Sequence, residues 1–69
     1  MFADMLVMPD HTYTSKRGGV RTVIGLDRRD DLDIVHYVCA FPEEVKNARE
    51  HECTMTTFCR WADRWVWLR

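Results

Sequence analysis

The chain has 69 residues and nearly balanced charge, with ten Lys and Arg against eleven Asp and Glu and a formal net charge of −1. Its 46% content of hydrophobic residues is typical of a globular protein and excludes a disordered chain. A chain of this size forms one domain, residues 1–69, with a small core. Its charge provides no global attraction to nucleic acid or to an anionic membrane.

The N-terminal stretch MFADMLVM is apolar, but it is too short for a targeting or membrane segment. Asp4 interrupts it, and Pro9 with Asp10 ends it, so the basic start and the longer apolar core of a signal peptide are missing. No run in the sequence approaches the roughly 18 apolar residues of a membrane helix. We therefore expect a cytoplasmic protein with no membrane partner.

Gly18 and Gly19 predict a turn, and a strand is expected on either side of it. TYTSKR, residues 12–17, precedes the turn, and LVM at residues 6–8 begins this strand or a further one. VRTVIGLD, residues 20–27, follows the turn and is rich in β-branched residues. Its alternate residues are expected to share one face of a sheet: Val20, Thr22, Ile24 and Leu26.

The segment LDIVHYVCAF, residues 32–41, has the clearest strand pattern in the chain. Both of its faces are largely apolar, which indicates a central strand that is covered on both sides. The polar break at residues 27–31 is short, so this strand and the preceding one are expected to form an antiparallel hairpin. Pro42 then ends the strand.

The segment EEVKNAREHE, residues 43–52, is polar and only weakly periodic, so it is either a helix or a long loop. ECTMT, residues 52–56, is expected to return as a short strand.

The segment CTMTTFCRWADRWVWLR predicts a C-terminal helix with Thr56 or Thr57 as its N-cap. Trp67 falls on its polar side, beside Arg60 and Arg64. Either the last turn frays and Trp67 folds back onto the domain, or its ring is an exposed interface residue. The opposite face carries large apolar residues at intervals of three and four and is expected to pack on the sheet: Phe58, Trp61, Ala62, Trp65 and Leu68.

These elements predict an α+β fold, in which one C-terminal helix crosses a small antiparallel sheet of three to five strands. The sequence is compatible with two arrangements of the sheet. It is either curled into an SH3-like or Tudor-like barrel with a helical tail, or it remains an open sheet. Short β-rich chains often close in order to remove exposed strand edges.

The sequence does not favour an enzyme or a metal protein. His51 and Cys53 could share one side of a strand, but the paired Cys-x2–4-Cys spacing of structural zinc sites is missing. DRRDDLD lacks the ligand spacing, glycine and closing glutamate of a calcium loop. Since no histidine is paired with a nucleophile, we expect no catalytic residue and no cofactor. The odd number of cysteines indicates free thiols in a reducing compartment: Cys39, Cys53 and Cys59.

Two charged patches of opposite sign flank the first predicted strand after the glycines. Lys16, Arg17 and Arg21 surround the glycine turn, with Tyr13 nearby, and could contact a phosphate backbone. A bipolar surface favours a protein partner over a nucleic acid, because charge complementarity steers docking and fixes register. The acidic patch lies on the next loop: Asp27, Asp30, Asp31 and Asp33.

The string RTVIGLD…IVHYV…HECTMTTFCRWA resembles short accessory proteins encoded by bacteriophages and prophages. Such proteins often have a small β-unit, a V-x-Y strand and a Cys-x-x-x-x-Phe-x-x-Trp-Ala ending. The resemblance implies a non-enzymatic inhibitor in the host cytoplasm that binds and blocks one host protein, such as a CRISPR or other defence complex (an anti-CRISPR-like role). It spans about residues 20–62, and the matching positions are Val35, Tyr37, Cys53, Phe58, Trp61 and Ala62.

Two functional hypotheses follow. In the first, the protein binds a host protein through the helix end, Trp67, Arg60 and Arg64, and through a second site on the acidic loop, Asp30, Asp31 and Asp33. Self-association as a homodimer through the C-terminal helix is one version of it. In the alternative, an SH3-like or Tudor-like module binds nucleic acid through a basic turn: Lys16, Arg17, Arg21 and Tyr13.

Overall fold

The computed structural model describes residues 7–66 and shows a five-stranded antiparallel sheet with one α-helix near its C-terminal end. The strands lie side by side in the order β4-β3-β2-β1-β5. The predicted α+β fold is confirmed. The sheet is open, so the barrel alternative is wrong. The elements are β1 (Thr12–Thr14), β2 (Val20–Arg29), β3 (Leu32–Val38), a 3-10 helix (Pro42–Asn47), β4 (Glu50–Thr54), α1 (Met55–Trp61) and β5 (Arg64–Val66). Within residues 7–66, no helix is both long enough and apolar enough to span a membrane.

The β2–β3 hairpin is tighter than the sequence predicts. β2 continues to Arg29, and a two-residue turn at Asp30 and Asp31 replaces the predicted polar break. Both turn residues have positive φ, 51° and 67°, as the type I′ hairpin turn requires. Aspartate tolerates this left-handed region better than most residues, because its short polar side chain bonds locally.

A bulge in β2 changes which of its side chains face the helix. The register against β3 shifts between Val23 and Gly25. One extra residue in a strand reverses the alternation beyond it. Leu26 pairs with Val35 and therefore lies on the face of Val23, not on that of Thr22. The prediction that Thr22 and Leu26 share a face is wrong for this reason.

One face of the sheet and the helix α1 enclose the core. Phe58 of α1 is fully buried, and it meets the rings of Tyr13 at 5.4 Å and Tyr37 at 5.9 Å in edge-on geometry. Val23 and Val35 are also fully buried in this cluster. Burial of large aromatic rings provides much of the apolar area that a small domain needs.

β3 is buried on both faces, as its two apolar faces predict. Val35 and Tyr37 face the core under α1, whereas Ile34 and Val38 lie on the opposite face, with 6% and 1% exposure. The strand ends at Val38, three residues before the predicted end, and β2 rather than β3 holds the central position in the sheet.

The segment after β3 contains a short 3-10 helix at Pro42–Asn47, which begins with the proline at its first position. β4 then confirms the predicted return strand, although it begins two residues earlier.

The helix α1 starts and ends earlier than the sequence predicts. Thr54 is the N-cap, since its hydroxyl accepts a hydrogen bond from the Thr57 N–H at 3.2 Å, so the predicted caps at Thr56 or Thr57 are wrong. The chain leaves the helix after Trp61 and enters β5, which pairs with β1. Trp65 therefore lies on a strand with 42% exposure, not on the buried helix face. Trp67 and Leu68 lie outside the described residues.

Candidate binding cleft

The two charged patches lie at opposite ends of β2. The basic turn precedes its first residue, Val20, and the acidic turn follows its last, Arg29. Ten residues of strand span about 30 Å at roughly 3.3 Å per residue. This distance matches the longest dimension of the domain, 32 Å. One small partner surface therefore cannot contact both patches.

A cleft of about 690 Å³ opens beside the basic turn. It brings Lys16 and Arg17, predicted for nucleic acid, together with Arg60, which was predicted for a protein partner. Residues that the sequence analysis assigned to two different hypotheses therefore line one cleft. The cleft is lined by Ser15, Lys16, Arg17, Gly19, Arg60, Trp61, Ala62 and Asp63.

Hydrogen bonds within the β1–β2 loop hold the basic side of the cleft. The Ser15 N–H donates to the Gly19 carbonyl and the Gly18 N–H donates to the Ser15 carbonyl, each at 3.0 Å. The Gly19 N–H donates to the Ser15 hydroxyl at 3.1 Å. Gly18 has φ of 90°, a conformation that favours glycine. The loop thus presents Lys16 and Arg17 as exposed residues at its tip.

Trp61 forms the opposite wall of the cleft, and contacts with the loop and with Arg21 hold its ring. A Cβ atom at Gly19 would lie 3.3 Å from the Trp61 Cζ2 atom, so glycine allows the ring to approach the loop closely. The Arg21 guanidinium carbon lies 4.2 Å from the Trp61 ring centroid and 4.5 Å from that of Tyr37. Tyr37 stacks in turn on His51, with centroids 5.6 Å apart. Arg21 therefore contacts both the Trp61 and the Tyr37 ring and supports the wall.

The three cations of the cleft have no counterion in the part of the chain that the structure describes. Among residues 7–66, no carboxylate oxygen lies within 4 Å of a charged nitrogen of Lys16, Arg17 or Arg60. The carboxylate in the lining, that of Asp63, contacts the Arg64 Nε at 3.6 Å. The cleft is thus suited to an anionic group that lies between the loop and the end of α1.

The acidic end is partly neutralised by its own arginines. Arg28 contacts Asp33 at 3.2 Å, and Arg29 contacts Glu52 at 2.8 Å, across to β4. The hydrogen bond from Arg29 lowers the pKa of Glu52. Asp30 and Asp31 form no ion pair within the described part of the chain, and both are exposed at the tip of the hairpin.

Two of the four residues of the nucleic-acid hypothesis, Tyr13 and Arg21, make contacts within the fold. Tyr13 is fully buried, its hydroxyl accepts a hydrogen bond from the Met8 N–H, and burial raises its pKa. Its ring is therefore not available to stack on a base. Arg21 is half-buried, and its guanidinium contacts the rings of Tyr37 and Trp61. Arg64 is exposed on β5, whereas Trp67 falls beyond the described residues.

The cysteines and histidines are not gathered into one site. Between residues 7 and 66, no group of three or more His, Cys, Asp or Glu side chains could hold a metal ion. Cys39 is exposed, whereas Cys53 and Cys59 are half-buried at the edge of the core. Burial raises the pKa of both half-buried thiols, which makes them weaker nucleophiles at neutral pH.

Comparison with known proteins yields no match to a family model, a curated protein or a solved structure.

Proposed function

We propose that this chain is a non-enzymatic binding protein whose basic cleft captures an acidic surface segment of a host protein. The observation that carries the proposal is the convergence around the Trp61 wall of Lys16, Arg17 and Arg60, none of which has a counterion among residues 7–66. Arginine and tryptophan are the residues most enriched in the energetic centres of protein interfaces. The resemblance to phage accessory proteins supports a bacterial target, such as a defence complex that this chain would inhibit by binding to it.

The composition of the cleft favours a protein segment over a nucleic acid. Asp63 lines the cleft beside the cations, and a phosphate backbone, which is charged at every nucleotide, would place negative charge near this carboxylate as well as near the cations. A protein segment can place an acidic side chain near Lys16 and Arg17 and a polar or basic one near Asp63. Three cations release few counterions, so they provide little of the affinity on which nucleic-acid binding depends.

The test is affinity capture of the tagged protein from a bacterial lysate treated with nuclease, followed by titration of the identified protein. The cleft variant Lys16→Glu with Arg17→Glu is compared with a control that makes the same change at two exposed cations outside the cleft, Lys46→Glu with Arg49→Glu. We expect one stoichiometric host protein with the wild type and the control, and at least tenfold weaker binding by the cleft variant.

Equal capture by the cleft variant and the control would refute the proposed site. Loss of the captured material on nuclease treatment, with salt-sensitive binding to oligonucleotides, would replace the proposal with the nucleic-acid alternative. Circular dichroism of each variant separates a binding defect from unfolding.

A further inference from the structure

The tip of the β2–β3 hairpin is the opposite of the cleft in charge and in shape. It ends in a narrow two-residue turn whose two carboxylates, those of Asp30 and Asp31, have no ion pair among the described residues. The cleft is concave and presents the three cations Lys16, Arg17 and Arg60.

Apolar groups accompany the charges on both surfaces. Leu32 follows the turn directly and is 53% exposed, the highest exposure among the large apolar side chains of residues 7–66. In the cleft, Trp61 and Ala62 provide apolar lining. The cleft carries three cations, an aromatic wall and one carboxylate, that of Asp63, which contacts Arg64. A tip with two carboxylates and one leucine thus matches its excess positive charge and its apolar wall.

The two surfaces cannot meet within one molecule, because β2 separates them by about 30 Å. We infer that the cleft accepts the Asp30–Asp31 turn of a second copy of this chain, so that molecules associate head to tail. The net charge of −1 adds little repulsion between copies. Few groups form the contact, so the association is weak and salt-dependent.

This contact joins two different surfaces and is therefore heterologous. Each assembly keeps one unused tip at one end and one unused cleft at the other, so short chains grow with concentration instead of stopping at a symmetric dimer. The inference does not depend on the proposed host partner. Since both use the cleft, self-association would compete with capture of that partner.

Sedimentation velocity of the purified protein at low salt tests the inference. We expect the weight-average mass to rise above the 8.2 kDa of the monomer as concentration increases, and to return to it at high salt. The tip variant is Asp30→Asn with Asp31→Asn, since asparagine keeps the positive-φ turn and removes both charges. Asp10→Asn is the matched control, at another exposed residue with positive φ.

The decisive step is to mix two defective variants. The tip variant and the cleft variant Lys16→Glu with Arg17→Glu should each remain monomeric alone, whereas their mixture should form a one-to-one complex that does not extend. Asp10→Asn should associate like the wild type. A wild type that remains monomeric at every concentration, or a mixture that remains monomeric, would overturn the inference. If the wild-type protein self-associates but captures no host protein, only the proposed function would be refuted.

Discussion

The guanidinium carbon of Arg21 lies 4.2 Å from the ring centroid of Trp61 and 4.5 Å from that of Tyr37. One cation thus joins β2 and β3 to the end of α1. Cation–π contacts contribute about 0.5–2 kcal/mol each, depending on their exposure to water. Since Trp61 also forms a wall of the cleft, this stack links the stability of the domain to the shape of its candidate site.

Replacement of Arg21 by alanine should lower the free energy of unfolding by about 1–2 kcal/mol, because both ring contacts and the packing of the aliphatic stem are lost. Lysine should recover part of the loss, since it retains a cation but not the flat guanidinium. Urea unfolding monitored by tryptophan fluorescence measures both. Arg49→Ala, at an exposed position, is the control. Equal stability of the Arg21→Ala and Arg49→Ala variants would contradict the structural role of the stack.

The N-cap of α1 can be tested with a pair of threonines. Thr54→Ala removes the side-chain acceptor of the Thr57 N–H and should destabilise the domain by about 1 kcal/mol. Thr56→Ala, within the first turn of α1, should be neutral or slightly stabilising, because alanine has the higher helix propensity. Thermal unfolding of both variants provides the comparison. A larger loss for Thr56→Ala would place the cap where the sequence pattern predicted it.

β2 and β3 were predictable because their signals are local. β-branched residues on either side of a glycine turn, and an alternating apolar segment after a short polar break, define β2 and β3 without knowledge of distant contacts. The bulge at Val23 and Gly25 was not predictable, since an extra residue in a strand depends on how its partner pairs. The three threonines before Phe58 fit an N-cap equally well by pattern, so only the hydrogen bond identifies Thr54.

The end of α1 and the cleft both depend on contacts between distant parts of the chain. The spacing of Phe58, Trp61 and Trp65 suits a helix, yet the Asp63 N–H donates to the Thr14 carbonyl at 2.7 Å and β5 pairs with β1. The helical spacing of these residues carries no information about the pairing of β5 with β1. The same return of the chain brings Arg60 beside the basic turn, and no local pattern predicts that cleft.

The three thiols should react at different rates. Cys39 is exposed, whereas burial restricts Cys53 and Cys59 and raises the pKa of both. In the native protein at neutral pH, a chromogenic disulfide reagent should modify one thiol at least tenfold faster than the other two. Denaturant should make all three equally reactive. Cys39→Ser should abolish the fast phase, and a fast phase that persists in this variant would contradict the assigned exposure.

The Glu52–Arg29 pair should make stability depend on pH in the acidic range. Its hydrogen bond lowers the folded-state pKa of Glu52 below the ordinary value of 4.5. As the pH falls, Glu52 is protonated at a higher pH in the unfolded chain than in the folded protein. The stabilisation by the pair is therefore full above pH 4.5 and disappears as pH falls through the folded-state pKa. Glu52→Gln should lower the melting temperature slightly near pH 7 and leave it unchanged near about pH 2. High salt should shrink the difference, because both side chains are exposed. A difference that grows toward low pH would refute this sign.

A buried pair of threonines on the face opposite α1 provides the last test. The Thr22 hydroxyl donates to the Ala40 carbonyl at 2.6 Å, and the Thr12 hydroxyl lies 2.8 Å from it. Since Thr22 has a single proton to donate, Thr12 must be the donor between the two hydroxyls. Thr22 thus satisfies two partners, the Thr12 hydroxyl and the Ala40 carbonyl.

Thr22→Val should therefore destabilise the domain by about 2 kcal/mol, because it leaves the Thr12 proton and the Ala40 oxygen without their partner. Thr12→Val should cost about 1 kcal/mol or less, since Thr22 keeps its bond to Ala40. The double variant should be more stable than Thr22→Val alone, because the second valine removes the orphaned hydroxyl. Chemical unfolding of the four proteins completes the cycle. Additive losses in the double variant would show that the two hydroxyls do not depend on each other.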